Sequence, residues 1–184
     1  GLMNKPHDLA PETKWFDMAQ ASINAIREVD TNTLIMVGGN DWSSAERWIE
    51  QSDTLKFLKD PANNLAFEAH VYFDKDASGT YKYSYEEEEC YPEKGIDRVK
   101  PFVEWIKQNK FHGFIGEYGI PDNDPRWNET LDLFLGYLQE NGINGTYWAA
   151  GPWWDTYFMA ITPKDGKDRP QMPIIEKYTS TLKK

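Results

Sequence analysis

The chain has 184 residues, enough for one domain with a sizeable core, and 30 acidic residues against 20 basic ones leave a formal charge of −10. That balance argues against nucleic acid or an anionic membrane as partner, because both need a positive face, and no apolar run reaches the length of a membrane span. The one cysteine, Cys90, excludes an internal disulfide, and the basic–apolar–small pattern of a signal peptide is missing. Aromatic residues make up 15% of the chain and include eight tryptophans. So much tryptophan reads either as an aromatic core or as stacking platforms, and the acidity favours sugars over bases as what would stack.

In chain order, Gly1-Leu2-Met3-Asn4 reads as a buried strand, and a core strand there calls for something before it; Lys5-Pro6-His7-Asp8 then leaves it. From about Thr13 to Asp30, Trp15, Met18, Ser22, Ile26 and Val29 recur at spacings of three and four, with Ile23 beside them, which predicts a helix. Thr33 to Gly39 is a second apolar strand closed by glycines; Asn40-Asp41-Trp42 follows on a loop, and a short helix is expected over Ser44 to Gln51. Leu65 to Phe73 is a third strand, with His70 and Tyr72 on one side of it.

A polar loop from Asp74 to about Gly95 contains Glu86-Glu87-Glu88-Glu89, read as a solvated face; loops of this length often serve as lids. A helix is expected over Asp97 to Lys110, with Pro101 in its first turn and Val99, Phe102, Val103 and Ile106 on its apolar face. His112 to Gly119 is a short buried strand with glycines that admit other backbone, and Glu117 sits at its C-terminal tip. Leu131, Phe134, Leu135 and Leu138 mark a helix from about Arg126 to Asn141, stopped by Gly142. Gly145 to Ala150 is a fifth strand, Gly151-Pro152-Trp153-Trp154-Asp155 its loop, and a last helix is expected over Met172 to Leu182.

Five strands, each followed by a helix and each apolar throughout, predict a parallel sheet buried on both faces in an α/β chain. No linker interrupts them, so the expectation is a single domain over residues 1–184. The C-terminal strand ends carry Asn4 and Lys5, then Trp42, then His70 and Tyr72, then Glu117, then Trp148. In a βα protein that end is where chemistry sits. Taken alone, Glu117 reads equally well as a strand-end glutamate that caps or pairs with a neighbouring loop. Together the residue types suit carbohydrate: tryptophan rings stack on sugar faces, while Asn, His and Tyr hold hydroxyls and orient a carboxylate. Hydrolysing a glycoside takes two carboxyls, an acid for the leaving oxygen and a nucleophile or base.

The matching pieces then become specific. Gly1-Leu2-Met3-Asn4-x-Pro6-His7-Asp8, Gly39-Asn40-x-Trp42, His70-x-Tyr72, Gly116-Glu117-Tyr118 and Trp148-Ala149-Ala150-Gly151-Pro152-Trp153-Trp154 occur in order along the chain. With them the sequence resembles the C-terminal part of a family 5 glycoside hydrolase, in its cellulase (endo-β-1,4-glucanase) branch. The resemblance implies part of a (β/α)8 TIM barrel, about five βα units with parallel strands, from a family of retaining enzymes that need no metal and no cofactor. It implies Glu117 as nucleophile, Asn4 at the sugar 2-hydroxyl, His70 and Tyr72 around the nucleophile, and Trp42 and Trp148 as sugar platforms. Trp153 and Trp154 either extend the cleft or pack beneath it. The implied ligand is β-1,4-glucan or a cello-oligosaccharide, and the implied location is outside the cell.

The sequence departs from that family in two ways. The family places its general acid/base, a glutamate, between Asn4 and Pro6, where this chain has Lys5. A lysine in water titrates near about 10.4, too high to donate a proton to a leaving sugar near neutral pH, and it would put a cation close to Glu117. The chain also begins at the family's fourth strand. Five strands cannot close an eight-stranded barrel, and open edges invite pairing, so a homo-oligomer or a complementing N-terminal barrel fragment is expected. Catalysis by a weakened hydrolase and glucan binding by a non-catalytic module both remain open, beside a structural domain whose aromatics are core. His7 and His112 have no metal-site spacing, Cys90 has no catalytic context, and the sequons at Asn128 and Asn144 carry little, Asn144 standing just before an expected buried strand.

Overall fold

The computed structural model describes residues 1–11 and 13–179. Four strands form one parallel sheet in the order β1 (Ile35–Gly38), β2 (Leu65–Tyr72), β3 (His112–Gly119) and β4 (Asn144–Tyr147). β1 and β2 pair in the register Ile35 with Leu65 through Gly38 with Glu68. Helices Lys14–Arg27, Trp48–Ser52, Lys94–Asn109, Arg126–Glu140 and Met172–Tyr178 alternate with the strands. The expected continuation of the last helix to Leu182 lies outside the described residues.

The stretch Gly1–Asn4, expected as a strand, is not one. Among the described residues, the Leu2 amide of this stretch donates to the Met36 carbonyl at 3.0 Å, and a single bond does not make a ladder. β4 also differs from expectation. It stops at Tyr147, before Trp148, and alternates exposed with half-buried residues, Asn144 and Thr146 being exposed. Alternation of this kind belongs to a strand covered on one face only.

Two compact units make up the chain: residues 1–70 with 99–116, and residues 71–98 with 117–184. The core of the first gathers Trp48, Phe67, Phe102 and Trp105, all buried, with ring centroids 4.6 to 6.5 Å apart in edge-on arrangements. The helix Lys14–Arg27 buries Trp15, Ala19, Ile23 and Arg27, a stripe of strict i, i+4 spacing. The expected face through Met18 and Val29 is wrong: Val29 is 88% exposed beyond the helix end, and Met18 points outward. The stripe ends on a charge because Arg27 is satisfied there. Its guanidinium grips Asp60 with two bonds of 2.7 and 2.9 Å and donates to the Asp30 and Thr33 carbonyls at 2.9 Å each.

The second unit packs Phe73 and Tyr118 against Phe134, 5.2 and 5.4 Å away between ring centroids, and buries Leu131 as well. The loop after β2 is tied down internally. Asp74, buried, accepts from the Gly79 and Thr80 amides at 3.0 and 2.9 Å, and Tyr81 Oη accepts from the Phe73 amide while donating to the Gly119 carbonyl. The expected solvated run Glu86–Glu89 is broken by Glu88, which is buried because its carboxylate accepts from the Lys75 and Tyr83 amides at 2.8 and 2.9 Å. Pro101 lies inside the Lys94–Asn109 helix rather than in its first turn, because the helix begins three residues earlier than Asp97. Burial pushes the Cys90 thiol up, away from the reactive thiolate.

Candidate active site

The second unit supplies the buried carboxylate. β3 is apolar enough to be buried along its last residues, and its period of two carries Glu117 to the strand tip at 5% exposure. A carboxylate there needs a partner. Tyr72, the last residue of β2, provides one by donating its hydroxyl hydrogen to Glu117 Oε2 at 2.7 Å. Burial first, then the charge of Glu117 and this bond, hold the Tyr72 hydroxyl far above its ordinary pKa, so it stays a donor. The bond fixes the rotation of the carboxylate.

Trp148 follows β4 and is anchored by its backbone. Its amide donates to the Tyr118 carbonyl at 2.8 Å, and its own carbonyl lies against Gly119. A Cβ at Gly119 would stand 2.3 Å from that oxygen, so only glycine fits. The half-buried Trp148 ring meets Trp154 edge-on at 4.9 Å, and Trp154 in turn meets Tyr157 at 5.1 Å. Trp154 therefore packs with the other rings. Trp153 is 90% exposed, which rules out packing beneath a cleft.

In the first unit β2 places Glu68 and His70 on one face, two residues apart. Glu68 Oε1 lies 3.0 Å from His70 Nε2, and the imidazole is buried. A Cβ at Gly116 would stand 2.1 Å from the same Glu68 oxygen, so this glycine makes room for a side chain, not for backbone. Asn4 is exposed and Lys5 half-buried. Trp42 is 46% exposed and stacks flat on His7, the ring centroids 4.5 Å apart and the planes 9° from parallel. Trp42 lies on the connection after β1, in a turn whose residues Asp41, Trp42 and Ser43 all have positive φ.

The structure thus joins Tyr72 to Glu117 and Trp148 to Trp154, as sequence order alone could not. It also adds three residues that the strand-end reading passed over. Glu68 was legible in principle, since it stands at the same alternate spacing as His70 and Tyr72. His7 stands in a matched piece of sequence without a role of its own, and its stack on Trp42 has no signal in the spacing. Tyr157 sits in a loop with no periodic pattern. Among the described residues no group of acidic, histidine or cysteine side chains has the geometry to hold a metal ion.

Comparison with known proteins gives the family of the chain. Residues 1–153 match the family model for cellulase, glycosyl hydrolase family 5. A probable endo-β-1,4-glucanase B of Aspergillus kawachii is 36% identical over 181 residues, covering 95% of this chain and 52% of that protein. The Pseudomonas stutzeri endoglucanase Cel5A, solved in complex with cellobiose, is 44% identical with a TM-score of 0.89 over 97% of this chain and 53% of that one. Cel5A (EG2) of Hypocrea jecorina is 27% identical, with a TM-score of 0.80 over 94% of this chain and 54% of that one. The chain spans about half the length of the relatives it matches.

Proposed function

The chain belongs to glycosyl hydrolase family 5, the cellulases, with the α/β fold of part of a TIM barrel, and from that premise we propose that it carries part of a cleft for β-1,4-glucan in which Glu117 is the nucleophile. The observation that carries this reading is the buried Tyr72–Glu117 pair at the tips of β2 and β3. In the retaining reaction a carboxylate oxygen of Glu117 attacks the anomeric carbon, the bond to the leaving sugar oxygen breaks, and that oxygen needs a proton. Tyr72 holds the carboxylate in one rotation, so the same oxygen is presented at each turnover. Trp42 and Trp148 act as sugar platforms, with Asn4 and His70 as hydroxyl partners and Trp153 and Trp154 further along.

Lys5 occupies the position from which a glutamate would donate the leaving-group proton. An ammonium ion is a poor donor to a sugar oxygen near neutral pH, and general acid help is worth about 10²–10⁴-fold. Turnover by the chain as it stands is therefore weak or absent. The same substitution favours a second reading, a module that holds glucan without cleaving it. In either role the chain covers its open sheet edges, with the remaining strands of a barrel from the same polypeptide or a complementing N-terminal fragment, or with another copy. It acts outside the cell, where an insoluble polymer is found. A monomeric mass by light scattering at micromolar concentration would remove the association with another copy.

The deciding experiment compares hydrolysis of a soluble β-1,4-glucan by this chain and by Lys5→Glu. Release of sugar by Lys5→Glu alone supports an assembled site that lacks only its acid. Silence from both folded proteins, with retention on insoluble cellulose that Trp42→Ala or Trp148→Ala weakens, supports binding instead. An aryl glycoside with a good leaving group refines the result, since it needs little acid and should give a burst from Glu117 even without a glutamate at position 5.

A further inference from the structure

Two short segments of the first unit hold their backbones in the left-handed region, and they are fastened to each other. Lys5 and Asp8 have φ of 50° and 53°, and Asp41, Trp42 and Ser43 have φ of 56°, 56° and 60°. None of the five is glycine, so each conformation is unfavourable by itself and persists only where the surroundings over-determine it. Here they do. The Trp42 amide donates to the Pro6 carbonyl at 3.2 Å, and the Ser43 amide donates to the Gly39 carbonyl at 3.1 Å. Ser43 is buried, and Asp41 is paired with Arg47. His7 Nδ1 is 2.8 Å from Asp8 Oδ2, a bond in which the ring N–H donates to the carboxylate. The imidazole so oriented lies flat on the Trp42 indole.

We propose that His7 is a positioning residue for Trp42: it covers one face of the indole, holds the ring in one orientation, and leaves the opposite face for a pyranose. The purpose rests on the glucan reading above; the positioning does not. A sugar platform works only if its plane is fixed, because the C–H face of a pyranose must meet the ring flat. An exposed tryptophan on a turn would otherwise sample several rotamers. An open pocket of about 390 Å³ bounded by His7, Asp41, Trp42 and Gln51 offers the space beside the paired rings. The same short segment carries Lys5 two residues before His7, so the stack also fixes the spacing between the platform and the acid/base position.

The test uses the whole chain labelled with 5-fluorotryptophan, with the Trp42 signal assigned from its loss in Trp42→Phe. In His7→Ala the Trp42 fluorine resonance should move and broaden, while His7→Phe, which restores a flat ring, should keep it narrow. Affinity for cellopentaose should fall about three- to tenfold in His7→Ala and return in His7→Phe, and His7→Ala should add nothing to Trp42→Ala. A narrow, unmoved Trp42 resonance in His7→Ala overturns the proposal. So does full affinity in His7→Ala when Trp42→Ala has lost it. If the resonance broadens but no variant, and not the parent, binds cellopentaose, the positioning stands and the glucan reading falls.

Discussion

At the tip of β3, Glu117 is held by strand geometry: the buried end of the strand carries it into the core, burial removes water, and the Tyr72 hydroxyl at the tip of β2 sets its rotation at 2.7 Å. In the turn at residues 41–43, Trp42 is held by loop geometry: three left-handed residues, a carbonyl of Pro6 and the ring of His7, with the indole still 46% exposed. The first arrangement rests on repeated backbone hydrogen bonds and apolar packing. The second rests on a few individual contacts, each of which a single substitution removes. Strand-borne chemistry should therefore resist distant changes and fail abruptly when touched. Loop-borne recognition should fail in smaller steps.

The most severe test removes the proposed nucleophile. In the Lys5→Glu background, Glu117→Gln should abolish glucan hydrolysis, by about a thousandfold or more, with the thermal midpoint little changed. Residual hydrolysis near the parent rate would mean that another carboxylate attacks. Gly119→Ala should come next. Its methyl group meets the Trp148 carbonyl, which is backbone and cannot step aside, so a loss of about 3 kcal/mol in a urea titration is expected. Gly116→Ala meets only the end of the Glu68 side chain, which can move, and should cost about 1–2 kcal/mol while breaking the Glu68–His70 bond. A Gly116→Ala penalty equal to that of Gly119→Ala would show that Glu68 is as rigid as backbone.

Tyr72→Phe keeps the ring and removes only the hydroxyl bonded to Glu117. In the Lys5→Glu background turnover should drop about tenfold, against a stability change of about 1 kcal/mol, the worth of one buried hydrogen bond. A stability loss without a loss of turnover would make the pair structural. The smallest effect is a control that belongs to neither region. The bond from Arg27 holds the Asp60 carboxyl at about 2, below its ordinary 3.8. A lowered folded-state pKa adds stability above the ordinary value and loses it as pH falls toward 2. The urea midpoint should thus decline between about pH 4 and pH 2, and Asp60→Asn should flatten that decline.

The order of strands and helices was legible because buried parallel strands are apolar runs and amphipathic helices repeat at three and four. His112–Gly119 and Arg126–Glu140 come out of the sequence nearly to the residue. Glu117 was legible as well, since a charge at the tip of an apolar strand stands out. The helix Lys14–Arg27 was found but turned to the wrong face, because a buried arginine looks polar until Asp60, distant in sequence, comes to meet it. Glu88 disappeared into a run of acids for the same reason: backbone amides of its own loop neutralise the cost of burying it.

By itself the sequence determined which elements form, in what order, and which residue types end the strands, because those follow from local periodicity and from the cost of burying charge. Tertiary structure alone decided that Tyr72 donates to Glu117, that Glu68 reaches His70 over a missing Cβ, and that His7 lies flat on Trp42. Each of these is a contact between residues far apart along the chain or on alternate positions of a strand, set by register, by a glycine's empty space or by a left-handed turn. No local pattern encodes such distances; they exist only once the backbone has closed on itself.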